Sequence, residues 1–356
     1  MASLRQTLRI VVEQGAKLSR EEACGLITRM LAPASEEETQ SDLEIAALLT
    51  AMAVRGETAD ELTGVVEAMR LLAVPLPLMD DERAKLVDTC GTGGDGLGTF
   101  NISTGAALVA VAAGAHIAKH GNRAVTSQCG SADVLEALGI PVTLEPEAAV
   151  ACLRATGFMF LFAPALHPAL KRMQPVRRAL GFRTIFNLAG PLTNPAGAPA
   201  QVMGVFSESK LMLAAEAMAR LGIECGLVAH GRNGMDEIAL SVTDAVMVRR
   251  GDRHPSVGRV KYSPDMFGMK RAAVRELKGG ATAAENAVIL EGVFAGEKGA
   301  KRNIVVVNAA AALFVGRVAA SMEEGVQRAA AAIDSGAVRG KLEQLREFNK
   351  TLGRGA

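Results

Sequence analysis

The stretch Lys85–Gly139 constrains the fold more than any other, because it reads as strand, glycine-rich loop, helix, strand, polar loop, helix. Apolar Leu86 and Val87 lead into Gly91, Gly93, Gly94, Gly96 and Gly98. Lacking β-carbons, these residues accept positive φ and let backbone N–H groups close on an anion, so a phosphate is the expected guest. Asn101, Ser103 and Thr104 are suitable N-caps for an apolar helix running from about Gly105 to Ala113, whose positive end faces the same cavity. After the next strand come Lys119, His120, Asn122, Arg123, Thr126 and Ser127. One βαβ unit thus sets amides, hydroxyls and cations along a single edge, which suits a ligand with several phosphates.

Gly91, Gly93 and Gly96 also spell a literal G-x-G-x-x-G. In a dinucleotide fold the helix begins inside that motif, and an acidic residue about 20 positions on takes a ribose hydroxyl. Here the helix is expected only after TFNIST, and the next strand ends in Lys119 and His120. Both spacing and charge exclude the dinucleotide reading. Asp95 within the loop fits poorly with direct phosphate contact; holding sugar hydroxyls, orienting loop amides or acting through a metal are the roles open to it.

At 356 residues the chain can form one large or two modest domains. Its 39 basic and 38 acidic residues leave a formal charge of +1, so no field draws it to nucleic acid or a membrane surface. Aromatic residues are 3% and Trp is absent, which disfavours stacking platforms for single strands. The charged N-terminal residues lack a signal-like apolar core and no later run reaches membrane length, so a soluble cytoplasmic protein is expected. Five cysteines without a C-x-x-C pair point to neither disulfides nor structural zinc.

Residues 1–74 read as helices only. Ser19 with Glu22 and Thr58 with Glu61 form capping boxes, Ser41 and Asp42 open a third helix, and Gly56 is a helix stop. Pro75 and Pro77 mark a linker. The expected fold is α/β: a small helical domain over 1–74, then a larger domain over 75–356 with a mostly parallel central sheet flanked by helices. Strands are expected at VDTC, HIAKH, VTLE, FMFLFA, QVMGVF, CGLVAHG and VVVNAAA, with antiparallel strands at one margin between Ala239 and Tyr262. Surplus apolar stripes in the first 74 residues suit a homodimer through that region.

Adjacent Asp236 and Glu237 match the habit of Mg²⁺, which takes one or two carboxylates and completes its shell with water and substrate phosphate; Ser103 offers a hydroxyl. Residues 163–180 hold His167, Lys171, Arg172, Arg177 and Arg178, and an arginine there suits a carboxylate. The residues alone leave open which of Arg177 and Arg178 turns inward. FNLAGPLTNPAG reads as a loop forming a pocket wall. There is no G-x-S-x-G, no H-E-x-x-H and no His-paired Cys, so no covalent nucleophile is expected and the chemistry rests on positioning and charge neutralisation.

At GTGGDGLGTFNIST, KHGNRAVTSQCGSADVLEALG, VRRALGFRTIFNLAGPLTNPAG and HGRNGMDE the sequence resembles the anthranilate phosphoribosyltransferase family, over nearly its whole length. That resemblance implies a homodimeric, Mg²⁺-dependent enzyme of tryptophan biosynthesis that joins anthranilate to the ribosyl group of 5-phosphoribosyl-1-pyrophosphate (PRPP). By resemblance, Gly91, Gly94, Asp95, Thr99, Asn101, Ile102, Ser103, Thr104, Lys119, His120, Gly121, Asn122, Arg123, Ala124, Val125, Thr126, Ser127 and Ser131 hold PRPP. Ser103, Asp236 and Glu237 would bind Mg²⁺, and Gly91, Asn122 and Arg177 would contact anthranilate, with 163–180 lining the acceptor site. Lys119 and His120 are then positioning and electrostatic groups. Thr126 and Cys129 stand where the family more often has Ser. Other readings are a related paralogue with a different acceptor or a nucleic-acid-binding role, a nucleoside phosphorylase, whose Lys-His-Ser-Thr-Gly-Gly loop is missing, and a non-catalytic dimerisation protein.

Overall fold

A computed structural model describes residues 3–31, 42–124, 129–251 and 254–352. Seven strands form one sheet: β1 (Leu86–Gly91), β2 (His116–Gly121), β3 (Phe158–Phe162), β4 (Ala200–Gly204), β5 (Cys225–Gly231), β6 (Thr243–Arg249) and β7 (Ser256–Tyr262). Their order is β3-β2-β1-β4-β5-β6-β7. The first five strands are parallel, and β6 and β7 add an antiparallel margin. The chain winds outward from β1 to β3, then restarts at β4 on the other side. The order therefore reverses between β1 and β4, which stay paired as far as Gly91 and Gly204, while the connections leaving them lead to helices on opposite faces, the arrangement that opens a ligand crevice in such sheets.

The two-residue period of the strands divides the interior. Leu227, Ala229, Ala245 and Met247 belong to one apolar cluster, while Val228, Val246 and Val248 belong to the cluster on the opposite face. Burying each such Leu or Val contributes about 1.5–3 kcal/mol relative to exposure. On the first face the helices Ile102–Ala112 and Ala300–Val315 lie against the sheet. On the second, Leu211–Arg220 packs beside the N-terminal helices Arg20–Leu31, Asp42–Arg55 and Ala59–Leu71.

Both capping boxes form. Ser19 N donates to Glu22 Oε2 at 2.8 Å and Glu22 N to Ser19 Oγ at 3.2 Å. Thr58 N donates to Glu61 Oε2 at 2.9 Å, and the same buried Glu61 accepts from Leu18 N at 3.0 Å and from Arg55. Ser41 lies outside the described residues.

Three expected elements differ. VVVNAAA is part of the helix Ala300–Val315, because a run buried on every side by the sheet and by neighbouring helices overrides the strand preference of Val305, Val306 and Val307. VTLE forms no strand, and Pro146 instead opens the helix Pro146–Thr156. FNLAGPLTNPAG begins as the helix Ile185–Leu192, started by a Thr184–Asn187 capping box, and Pro191 sits in its last turn. Gln201 Nε2 donates to the Pro191 carbonyl at 2.6 Å, which fixes that irregular end.

Candidate active site

Gly93, Gly94, Gly96 and Gly98 all have φ between 62° and 73°. Successive residues of this kind make a concave nest of amides. Among the described residues the N–H groups of Gly94, Asp95, Gly96 and Gly98 have no partner, whereas Gly93 N donates to Asp236 Oδ2 at 2.7 Å and Leu97 N to Asp95 Oδ1 at 3.0 Å. The helix behind the loop starts at Ile102, earlier than expected. Asn101 occupies its N-cap position without capping it; its Nδ2 donates to the Cys129 carbonyl at 3.1 Å. The first turn instead receives a carboxylate from afar, as Ser103 N donates to Glu237 Oε1 at 3.1 Å.

Asp236 and Glu237 reach the loop because two glycines make room. A β-carbon on Gly204 would lie 1.5 Å from the Asp236 carbonyl oxygen, and one on Gly91 2.6 Å from Asp236 Oδ2. Burial, with the charge of Asp95 next, pushes the Asp236 carboxyl up to about 6. Burial and then Asp236 push Glu237 up to about 8. Such a pair holds negative charge only at a cost, which a divalent cation would offset. The buried Asp95 Oδ2 has no partner among the described residues. Among those residues, no cluster of three or more His, Cys, Asp or Glu side chains could hold a metal unaided. The donor set thus fits a hard cation that draws the rest of its shell from water and substrate phosphate.

Lys119 is fully enclosed at the end of β2. Its Nζ donates to the Thr89 carbonyl and, at 3.3 Å, to Ser103 Oγ; burial lowers its pKa while Asp88 and Glu237 oppose the shift. Burial, with His167 next, pushes His120 down to about 3, so its imidazole is neutral at physiological pH. The two rings meet edge-on with centroids 5.2 Å apart. His167, at the junction between the short helix Ala163–Leu166 and the turn that Pro168 opens, is a buried neighbour of His120. Asp88, a carboxylate inside β1, accepts from His120 N at 3.2 Å and from Gln201 Nε2 at 3.4 Å. Asp88 is not among the expected site residues, yet an acid in the middle of a buried strand is itself a signal, since it needs partners.

The remaining sites divide. Ile102, Thr104 and Gly121 support the cavity from within: the first two are buried, and a β-carbon on Gly121 would collide with Ser131 Oγ. Thr99 bridges to Lys278 through the backbone. Asn122 Oδ1 accepts from Arg123 N at 2.7 Å, and its carbonyl accepts from Ser131 Oγ at 3.2 Å. Arg123 does not face the nest unencumbered: it is paired with Glu136 at 2.7 Å and Asp133 at 3.1 Å, while Ala124 N donates to Asp133. Val125, Thr126 and Ser127 lie outside the described residues. Arg177 and Arg178, on the helix Gln174–Leu180, both have exposed surface and form no ion pair among the described residues, but surrounding protein desolvates the Arg177 guanidinium enough to lower its pKa. That helix packs against Asp42–Arg55 of the N-terminal helices.

A helical bundle, a sheet with a crevice at its switch point, an amide nest and a buried acid pair together describe an enzyme acting on a phosphorylated sugar donor. The chain matches the glycosyl transferase family helical bundle domain over residues 5–73 and the family's a/b domain over 83–339. It is 49% identical over 349 residues to an anthranilate phosphoribosyltransferase of Solibacter usitatus, covering 98% of this chain and 99% of that one. The crystal structure of anthranilate phosphoribosyltransferase from Thermus thermophilus superposes with TM-score 0.88 at 40% identity, covering 98% and 100% of the two chains. The enzyme from Saccharomyces cerevisiae in complex with PRPP and Mg gives 0.84 at 25% identity and 98% coverage of both. The chain belongs to the anthranilate phosphoribosyltransferase family.

Proposed function

We infer that this chain transfers the phosphoribosyl group of PRPP to the amine of anthranilate, releasing pyrophosphate, in the second step of tryptophan biosynthesis from chorismate. The observation that carries the reading is the seating of Asp236 on Gly93 N and of Glu237 on Ser103 N, beside the amides of Gly94, Asp95, Gly96 and Gly98, which are unpaired among the described residues. The loop amides and the Ile102 helix start take the phosphates, and Lys119 and Ser103 lie beside them. Bound Mg²⁺, held by Asp236, Glu237 and Ser103 and by the pyrophosphate itself, neutralises charge on the leaving group. As the C1–O bond to pyrophosphate breaks with its electron pair, the amine lone pair forms the C1–N bond, and the nitrogen then sheds a proton. An aromatic amine is already neutral, so no strong base is needed before attack; His120, itself neutral, orients groups by hydrogen bonding. Arg177 holds the anthranilate carboxylate, with Gly91 and Asn122 beside the ring.

The chain works in this reading as a cytoplasmic homodimer joined through the N-terminal helices. Val12 on the first helix, Leu4–Gln14, and Leu43 and Val54 on Asp42–Arg55 are 61%, 81% and 84% exposed, apolar side chains that a second copy would cover. Among the described residues no helix is long and apolar enough to cross a membrane. Light scattering of wild type and Leu43→Glu/Val54→Glu tests the dimer; a wild-type monomer would sink it.

The deciding assay is loss of anthranilate fluorescence with PRPP and Mg²⁺, beside controls lacking each component and an Arg177→Ala variant. Metal-dependent loss that Arg177→Ala abolishes at low anthranilate supports the reading. Bound PRPP without loss of anthranilate would mean another acceptor.

A further inference from the structure

The carbonyl side of the glycine loop is held as firmly as its amide side is open. Arg183, between the helices Gln174–Leu180 and Ile185–Leu192, donates through its guanidinium to the Gly94 carbonyl. The same guanidinium lies over the Phe206 ring, 4.1 Å from the centroid. Phe206 follows β4, and its own N–H donates to Thr92 Oγ1 at 3.1 Å, at the start of the loop. Farther along the loop, Lys278 Nζ donates to the Leu97 carbonyl at 2.7 Å.

Peptide planarity turns these contacts into amide orientation. In a trans peptide the carbonyl of one residue and the N–H of the next point in opposite directions. Fixing the Gly94 carbonyl on Arg183 therefore aims the Asp95 N–H away from Arg183, and fixing the Leu97 carbonyl on Lys278 aims the Gly98 N–H away from Lys278. Both of those amides lack a partner among the described residues. Glycines with positive φ would otherwise leave such planes free to flip.

Resting on the proposed phosphoribosyl transfer, we propose that Arg183 is a positioning residue for the donor: it orients the loop amides that receive the PRPP phosphates, with Lys278 assisting along the loop. Its planar, stacked guanidinium sets the direction of the bond in a way that a lysine would reproduce only in part.

The test compares wild type, Arg183→Ala, Arg183→Lys and Phe206→Leu, with circular dichroism to establish folding. Calorimetry gives the Kd for PRPP with Mg²⁺, and steady-state kinetics the KM for each substrate. Arg183→Ala should weaken PRPP binding about tenfold or more, the scale of a lost hydrogen bond from a charged donor, and leave the anthranilate KM within about twofold. Arg183→Lys should recover part of the loss, and Phe206→Leu should weaken PRPP by about threefold, near the lower range for a stacked cation. Unchanged PRPP affinity in folded Arg183→Ala, or equal losses for both substrates, would overturn the proposal. If Arg183→Ala does not fold, the other two variants decide it: PRPP affinity at the wild-type level in both overturns the role. Wild type that binds PRPP without consuming anthranilate would defeat the transferase reading, while calorimetry would still read the loop.

Discussion

Around the glycine loop, the groups that would meet the donor are fixed from several directions: Asp236 on Gly93, Glu237 on Ser103, Arg183 on Gly94, Lys278 on Leu97. Along 163–180, by contrast, Arg177 and Arg178 stand exposed and unpaired among the described residues, on a helix of seven residues. In the proposed reading the donor half would recognise charge with backbone held by side chains from distant elements, whereas the acceptor half would rely on long side chains of a short helix that leans on the N-terminal bundle. Preorganisation thus lies where the leaving group's charge must be met, because amides that need not reorient stabilise a developing anion most.

The sharpest way to break this contrast is Gly204→Ala. Its β-carbon would force the Asp236–Glu237 turn out of place, and kcat/KM should fall on the order of 10²-fold or more, as for a misplacement of about 1 Å. Steady-state assay of folded variant checks it, and near-normal activity would show that the acid pair tolerates displacement. On the acceptor side, Arg177→Ala should raise the anthranilate KM about 10- to 100-fold, the scale of a charge-assisted contact, and Arg178→Ala less than about twofold. Equal effects in the two kinetic titrations would refute the assignment to Arg177.

For His120→Ala a loss of about tenfold in kcat is expected, and the wild-type pH profile between about 5 and 9 should carry no limb from this residue. A loss beyond about 10⁴-fold would make it an obligatory base. The acid pair also acts on stability. Because Asp236 and Glu237 are raised to about 6 and about 8, the folded metal-free protein binds more protons than the unfolded chain above their ordinary carboxylate range. Stability should therefore fall as pH rises from about 5 to about 8. Glu237→Gln should flatten that slope and stabilise the metal-free protein at the upper pH by roughly 1–2 kcal/mol, read by thermal melting; a lower melting point than wild type there would contradict it. The smallest effect is reserved for Cys129→Ser, whose contact with Asn101 is through its carbonyl. Turnover within about twofold of wild type is expected, since a hydroxyl replaces a weak S–H donor.

The parts of this molecule legible in its sequence are local or periodic. The βαβ unit, the capping boxes of Ser19 and Thr58, and the antiparallel margin depend on neighbours a few residues away. The acid pair was visible as a pair, but its seat on Gly93 joins residues 143 positions apart. Arg183 is 89 positions from Gly94, and nothing near it in the chain marks it as a donor to that carbonyl. Val305, Val306 and Val307 misled for the opposite reason: their β-branched preference is real, but burial on all sides of a helix outweighs it.

The apolar cluster on the second face of the sheet contains Leu62, Val65 and Met69 together with Ile185, Leu188, Ala214, Met218 and Val246. A break in the chain between 75 and 84 would therefore divide one interior rather than separate two. Each fragment would carry half of an apolar surface, and a gene split there would encode two polypeptides that are soluble only as a reassembled pair.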